Sequence, residues 1–167
     1  MRPSLFAARS LAQAPAAPTT LQRFSDTLVV AAGVVPTGTP LTTYAEALRL
    51  FQREEYDSAL VLLQRLTVLS VLPDSLADEA LFHVAECMAA LGRLSEARST
   101  YKHLLRQPDS RPSLRERLLL RLGHLACAES DLLRAQEFFS QLRREFPQSR
   151  YLPLATCAAI RSPMLPR

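Results

Sequence analysis

The sequence predicts an all-α protein, a short α-solenoid of about three stacked helical hairpins closed by a C-terminal capping helix. Leucine is abundant whereas valine and isoleucine are few, which favours helices over strands. Small residues recur at intervals of 38, at Ala59, Ala97 and Ala135. A large apolar residue follows each of them four positions later, at Leu63, Tyr101 and Phe139. A fixed period with this alternation of small and large residues is typical of stacked helical hairpins.

The apolar spacing predicts six helices in three units, and each unit ends near a proline: Pro73, Pro108 or Pro147. The predicted helices span 41–54, 56–69, 75–91, 94–107, 113–129 and 131–146. The units are 41–73, 75–108 and 113–147.

Sequence patterns at three helix starts predict N-caps. Thr43 with Glu46 and Ser113 with Glu116 have capping-box spacing, and Asp74 or Ser75 can cap the first helix of the second unit. A seventh helix is predicted over 151–161, with Pro153 in its first turn. Residues 150–167 would thus be a capping helix and a tail, and the helix would cover the apolar face of the last hairpin.

Residues 1–40 are predicted to be a leader outside the repeats. The part over 1–26 is rich in alanine, proline and serine and has no acid before Asp26. It fits the remains of a secretory signal, a mitochondrial presequence or a disordered leader. The apolar run over 27–35 is too short to span a bilayer and fits a short strand or a helical turn.

The charge distribution argues against nucleic-acid binding. The net charge is +4, but residues 41–149 carry 15 acidic and 14 basic side chains. The basic excess therefore lies in the tails, whereas a nucleic-acid binder concentrates it on the folded face that meets phosphate.

No pattern of residues predicts catalysis, a cofactor or a transmembrane segment. The four glycines leave no phosphate-binding loop, and no run of eighteen apolar residues is present. Three cysteines without a Cys-x-x-Cys pair are expected to exclude a disulfide framework and a zinc finger.

Two histidine–cysteine pairs have spacing that could hold a metal ion. They are His83 with Cys87 and His124 with Cys127, each on one helix face. The alternative is that the cysteines are small core residues and the histidines line a groove. We therefore predict no metal site and no enzyme, and keep a metal-dependent enzyme as a competing hypothesis.

The second unit resembles the tetratricopeptide repeat. From Ala80 to Pro108 it has the small residue, the glycine turn at Gly92, the alanine, the aromatic and the proline of that family. The resemblance extends over about 41–149 and implies a non-enzymatic scaffold. The 38-residue period and the phrases after Pro108 and Phe146 are similar to bacterial envelope members, the Tol–Pal cell-division coordinator and outer-membrane assembly lipoproteins.

The resemblance also implies which side chains line the concave groove, because the first helix of each hairpin does so in this family. The implied partner-binding residues are Tyr44, Leu48, Phe51, Glu79, Phe82, His83, Glu86, Arg117, Leu120, Arg121 and His124. The expected partner is a protein or peptide segment, and the expected location is the bacterial envelope, with the cytoplasm or a mitochondrion as alternatives. Self-assembly through the terminal hairpin faces, giving a homo-oligomer, is a second hypothesis.

Overall fold

The computed structural model describes residues 38–108 and 111–161, and their regular structure is entirely helical. The six α-helices are α1 (Pro40–Gln52), α2 (Tyr56–Val68), α3 (Asp74–Ala90), α4 (Leu94–Leu105), α5 (Pro112–Ala128) and α6 (Leu132–Glu145). Each begins and ends within two residues of its predicted bounds, and the all-α class is confirmed. The predicted leader over 1–26 and the apolar run over 27–35 lie outside the described residues.

The helices pair into three hairpins with the same turn geometry. Consecutive helices pack against one another along the chain. The turn between the two helices of each hairpin contains one residue with positive φ. These residues are again 38 positions apart: Glu54 (64°), Gly92 (77°) and Ser130 (62°). The amide of the following residue donates to a carbonyl at the end of the first helix in all three turns: Glu55 to Leu50, Arg93 to Met88 and Asp131 to Ala126. The first and third turns keep this geometry without glycine, at a cost of roughly 1–2 kcal/mol each.

The recurring small residues let the helices of each hairpin approach closely. Ala47, Ala59, Ala85 and Ala97 are completely buried. Gly123 occupies the corresponding position of α5, where a Cβ atom would lie 2.2 Å from the Phe139 ring. The large aromatic residue of α6 therefore requires that α5 carry no side chain at this point.

The predicted N-caps are wrong. α1 begins three residues earlier than its predicted cap, and the Thr39 side chain caps it by accepting from the Thr42 amide at 3.3 Å. Pro73 and Arg111 occupy the N-cap positions of α3 and α5, and neither makes a side-chain cap. Prolines begin two of these helices before the predicted cap, Pro40 three residues before Thr43 and Pro112 one residue before Ser113. Thr43 is therefore buried inside α1.

The α-helix predicted over 151–161 is also wrong. The chain forms two short 3-10 helices there, Leu152–Leu154 and Cys157–Arg161. Pro153 lies in the first turn of the first 3-10 helix, and the chain leaves helical geometry at Ala155, which has φ −76° and ψ 60°. We call residues 151–161 the C-terminal cap, because Ala155 is buried in one cluster with Leu120, Phe139 and Leu142 of the third hairpin.

The cysteine prediction is corrected by a disulfide. Cys127 at the end of α5 bonds to Cys157 in the C-terminal cap, with Cα atoms 5.5 Å apart. Cys127 is therefore not a small core residue, whereas Cys87 is free and completely buried. A separation of 30 residues carries no pairing signal, since only the return of the cap onto α5 brings the two sulfur atoms together.

Candidate functional site

The first helices of the three hairpins, α1, α3 and α5, present a continuous set of partly exposed side chains. We call this set the first-helix strip, and it contains eight of the eleven predicted groove residues: Tyr44, Leu48, Phe51, Glu79, His83, Glu86, Arg117 and Arg121. The other three, Phe82, Leu120 and His124, are 3%, 4% and 7% exposed. These three side chains lie beneath the surface and pack the hairpins together.

Glu79 joins α3 to α5 through two arginines. Arg117 Nη1 donates to Glu79 Oε2 at 2.8 Å, and Arg111 Nη2 donates to Oε1 at 3.2 Å. The Arg117 guanidinium also stacks 3.9 Å above the centroid of the Phe82 ring. Glu79 and Arg117 are 38 residues apart, so the repeat itself places opposite charges at one height in neighbouring hairpins. The predicted groove charges are therefore paired with each other.

Glu86 makes a second connection and is the more buried of the two glutamates. Arg121 Nη2 donates to its Oε2 and the Tyr101 hydroxyl donates to its Oε1. Burial raises the pKa of Tyr101 well above its usual value, so this hydroxyl stays a donor. Tyr101 lies on α4 and was predicted only as a core residue, because its sequence position does not show which way its hydroxyl points.

The two histidines that were predicted to line the groove, His83 and His124, contact aromatic rings. The His83 ring lies 5.2 Å from Phe51 and 5.8 Å from Phe82, measured between centroids. His124 Nε2 donates to the Leu154 carbonyl at 2.8 Å, and its ring meets Phe139 at 5.7 Å. Burial lowers the pKa of both histidines because it disfavours the charged imidazolium.

This burial predicts that the protein loses stability at mildly acidic pH. His83 and His124 bind fewer protons when folded than when unfolded, so their contribution is complete above the usual pKa of 6.5. It is lost as the pH falls through the lowered folded-state values. We expect the urea midpoint to fall between about pH 7.5 and about pH 5.5.

A double variant tests whether the two histidines cause this change. His83→Gln/His124→Gln should flatten the pH dependence, whereas His103→Gln, at an exposed position on α4, should leave it intact. The pKa values of Glu96 and Glu145 are lowered by Arg93 and Arg115, so these carboxylates act only below about pH 4.5. A slope that persists in the double variant would contradict this assignment.

The histidine–cysteine pairs do not form a metal site in the part of the chain that the structure describes. No three His, Cys, Asp or Glu side chains meet there in an arrangement that could hold a metal ion. The Cys127 sulfur is bonded to Cys157. Burial raises the pKa of the Cys87 thiol to about 12, so it stays protonated.

Among the described residues, none of the helices has both the length and the apolar character needed to cross a bilayer.

One comparison with known proteins identifies the repeat. Residues 79–110 match the family model for the tetratricopeptide repeat, and they comprise most of α3, the Gly92 turn and all of α4. No curated protein and no solved structure matches the chain. Tetratricopeptide repeats generally mediate protein–protein interactions, and proteins of the family are typically non-enzymatic scaffolds. The match at the second hairpin, together with the three equivalent turns, supports the tetratricopeptide repeat family for this helical solenoid.

Proposed function

We propose that the protein is a scaffold that binds a segment of a partner protein along the first-helix strip. The observation that carries this proposal is the strip itself, in which partly exposed apolar side chains of α1 lie next to charged side chains of α3 and α5. Tyr44, Leu48 and Phe51 supply the apolar part. A surface with apolar anchors and a polar border suits a peptide with both kinds of side chain.

The charged side chains of the strip, together with the neighbouring Arg111, favour a partner segment with acidic residues. The ion pairs described above contain three arginines, Arg111, Arg117 and Arg121, but two glutamates, Glu79 and Glu86. Arg111 is about half exposed and can turn a donor to a ligand while Arg117 continues to neutralise Glu79. A carboxylate on the partner would accept from such a guanidinium in bidentate geometry.

The experiment compares partner capture by two matched double variants. Tyr44→Ser/Leu48→Ser removes apolar area from the strip, and Val61→Ser/Leu133→Ser removes it from exposed positions on the second helices α2 and α6. We expect proteins captured by the wild type to be kept by the second variant and lost by the first. Thermal melts establish that both are folded. An unchanged set of captured proteins with the first variant would refute binding at the strip.

We further infer that the protein works in an oxidising compartment such as the bacterial cell envelope. The Cys127–Cys157 disulfide supports this location, because reducing compartments keep such thiols free. The similarity of the Pro108 and Phe146 phrases to envelope proteins points the same way. Thiol counting on protein isolated from the envelope with alkylation at lysis tests the inference, and three alkylated cysteines would refute it.

A further inference from the structure

We propose that the Cys127–Cys157 disulfide is an oxidation-dependent staple for the C-terminal cap. With the bond formed, residues 151–161 cover the end of the third hairpin. With the bond reduced, the cap leaves and uncovers the apolar face of α5 and α6. This proposal does not depend on what the first-helix strip binds.

The cap occupies the place that a fourth hairpin would take. In the second hairpin, Phe82 lies under Arg117 and Glu86 pairs with Arg121 of the next hairpin. The residues 38 positions later are Leu120 and His124. Leu120 packs in the cluster that holds Ala155, and His124 donates to the Leu154 carbonyl. The cap therefore satisfies side chains that the repeat pattern would otherwise leave facing solvent.

The non-covalent attachment of the cap is small. Its two 3-10 helices have three and five residues. Ala155 is the one buried residue of the segment 151–159, and Tyr151, Leu152 and Leu154 are partly buried against the same cluster. A segment this short, with one fully buried side chain, gains limited free energy from packing, and the entropy of ordering its backbone opposes that gain. The disulfide removes much of that cost because it holds the cap beside α5 in every conformation.

The chemistry requires a disulfide as oxidant, and oxidised glutathione is a sufficient one. The Cys127 thiolate attacks the S–S bond of oxidised glutathione, forms a mixed disulfide and releases one glutathione thiolate. The Cys157 thiolate then attacks the Cys127 sulfur and releases the second. The two protons of the protein thiols end on the two released glutathione thiolates, and two electrons have reduced glutathione disulfide to two thiols. Cys87 does not compete, since it is completely buried and stays protonated.

Amide hydrogen exchange on the full chain tests the staple. The protein is oxidised with glutathione disulfide or reduced with dithiothreitol, and free thiols are counted in each sample. We expect one thiol after oxidation and three after reduction. Exchange of peptides from 151–161 should then rise at least about tenfold on reduction, while α1 exchanges at the same rate in both samples. Binding of an apolar dye should increase in parallel.

Matched variants separate the staple from general effects of reductant. Cys127→Ser/Cys157→Ser should exchange rapidly in the cap with or without dithiothreitol, and Cys87→Ala should respond like the wild type. A reduced wild type with three free thiols and a cap that still exchanges slowly would overturn the proposal. Because this readout uses the wild type alone, the conclusion stands even if a variant folds poorly.

Discussion

Glu86→Leu is expected to lower the free energy of unfolding by about 3 kcal/mol, the largest loss we expect from any single charged side chain. The carboxylate is the shared acceptor for Arg121 and Tyr101, and Tyr101 is only 1% exposed. Without it, a buried hydroxyl loses its acceptor and an arginine between α3 and α5 loses its counter-charge. The loss stays at the lower end for a broken buried pair because the Arg121 side chain keeps 23% of its surface exposed and can reach water.

Urea denaturation measures this effect against a surface control. Glu46→Leu breaks an ion pair with Arg49 within α1. The Glu46 side chain is 45% exposed and the Arg49 side chain is 62% exposed. Such pairs contribute at most about 1 kcal/mol, so this variant should stay close to the wild type. Tyr101→Phe should cost less in the Glu86→Leu background than in the wild type, because the hydroxyl has already lost its acceptor. Similar midpoints for the two leucine variants would show that Glu86 does not join the hairpins.

Gly123→Leu is expected to destabilise the protein by about 3–5 kcal/mol. Even a Cβ at this position would lie 2.2 Å from Cε1 and 2.8 Å from Cζ of Phe139, which is 4% exposed. The ring would have to leave its site between α5 and α6. The cost combines overpacking of roughly 1–3 kcal/mol with loss of the buried area of a phenylalanine, roughly 1.5–3 kcal/mol.

A compensating substitution distinguishes this clash from a general intolerance of leucine at position 123. Phe139→Ala alone leaves a cavity and should cost about 3–5 kcal/mol. In Gly123→Leu/Phe139→Ala the new leucine fills the space that the ring occupied. We expect the double variant to be more stable than the sum of the single changes by at least about 1 kcal/mol, measured by thermal and urea unfolding. Strictly additive losses would contradict the contact between Gly123 and the ring.

The repeat was predictable from the sequence because it depends on patterns of residue size and polarity at short, fixed spacings. The 38-residue spacing of Ala59, Ala97 and Ala135 indicated the positions at which paired helices approach closely. These three residues are buried as predicted. The first turn was harder to predict, since Glu54 stands where a glycine is expected. The backbone adopts the same positive φ there, because helix packing on both sides outweighs the local strain.

The candidate site was predictable in outline only. The choice of α1, α3 and α5 came from the resemblance, and binding at the strip stays a prediction. The pairing of Glu79 with Arg117 was not anticipated, because opposite charges 38 residues apart meet only if two hairpins stack in register. Phe82 was predicted to face the groove, whereas the Arg117 guanidinium covers its ring.

The sequence by itself determined the six α-helices of the hairpins, their bounds to within two residues and the register of the three hairpins. These features depend on side-chain size and polarity at spacings within one or two helical turns, and they recur three times. The tertiary structure alone decided the Cys127–Cys157 bond, the irregular C-terminal cap and the sharing of Glu86 by Tyr101 and Arg121. The disulfide and the shared carboxylate depend on residues at least 15 positions apart meeting at one place, and only the packed fold sets where they meet.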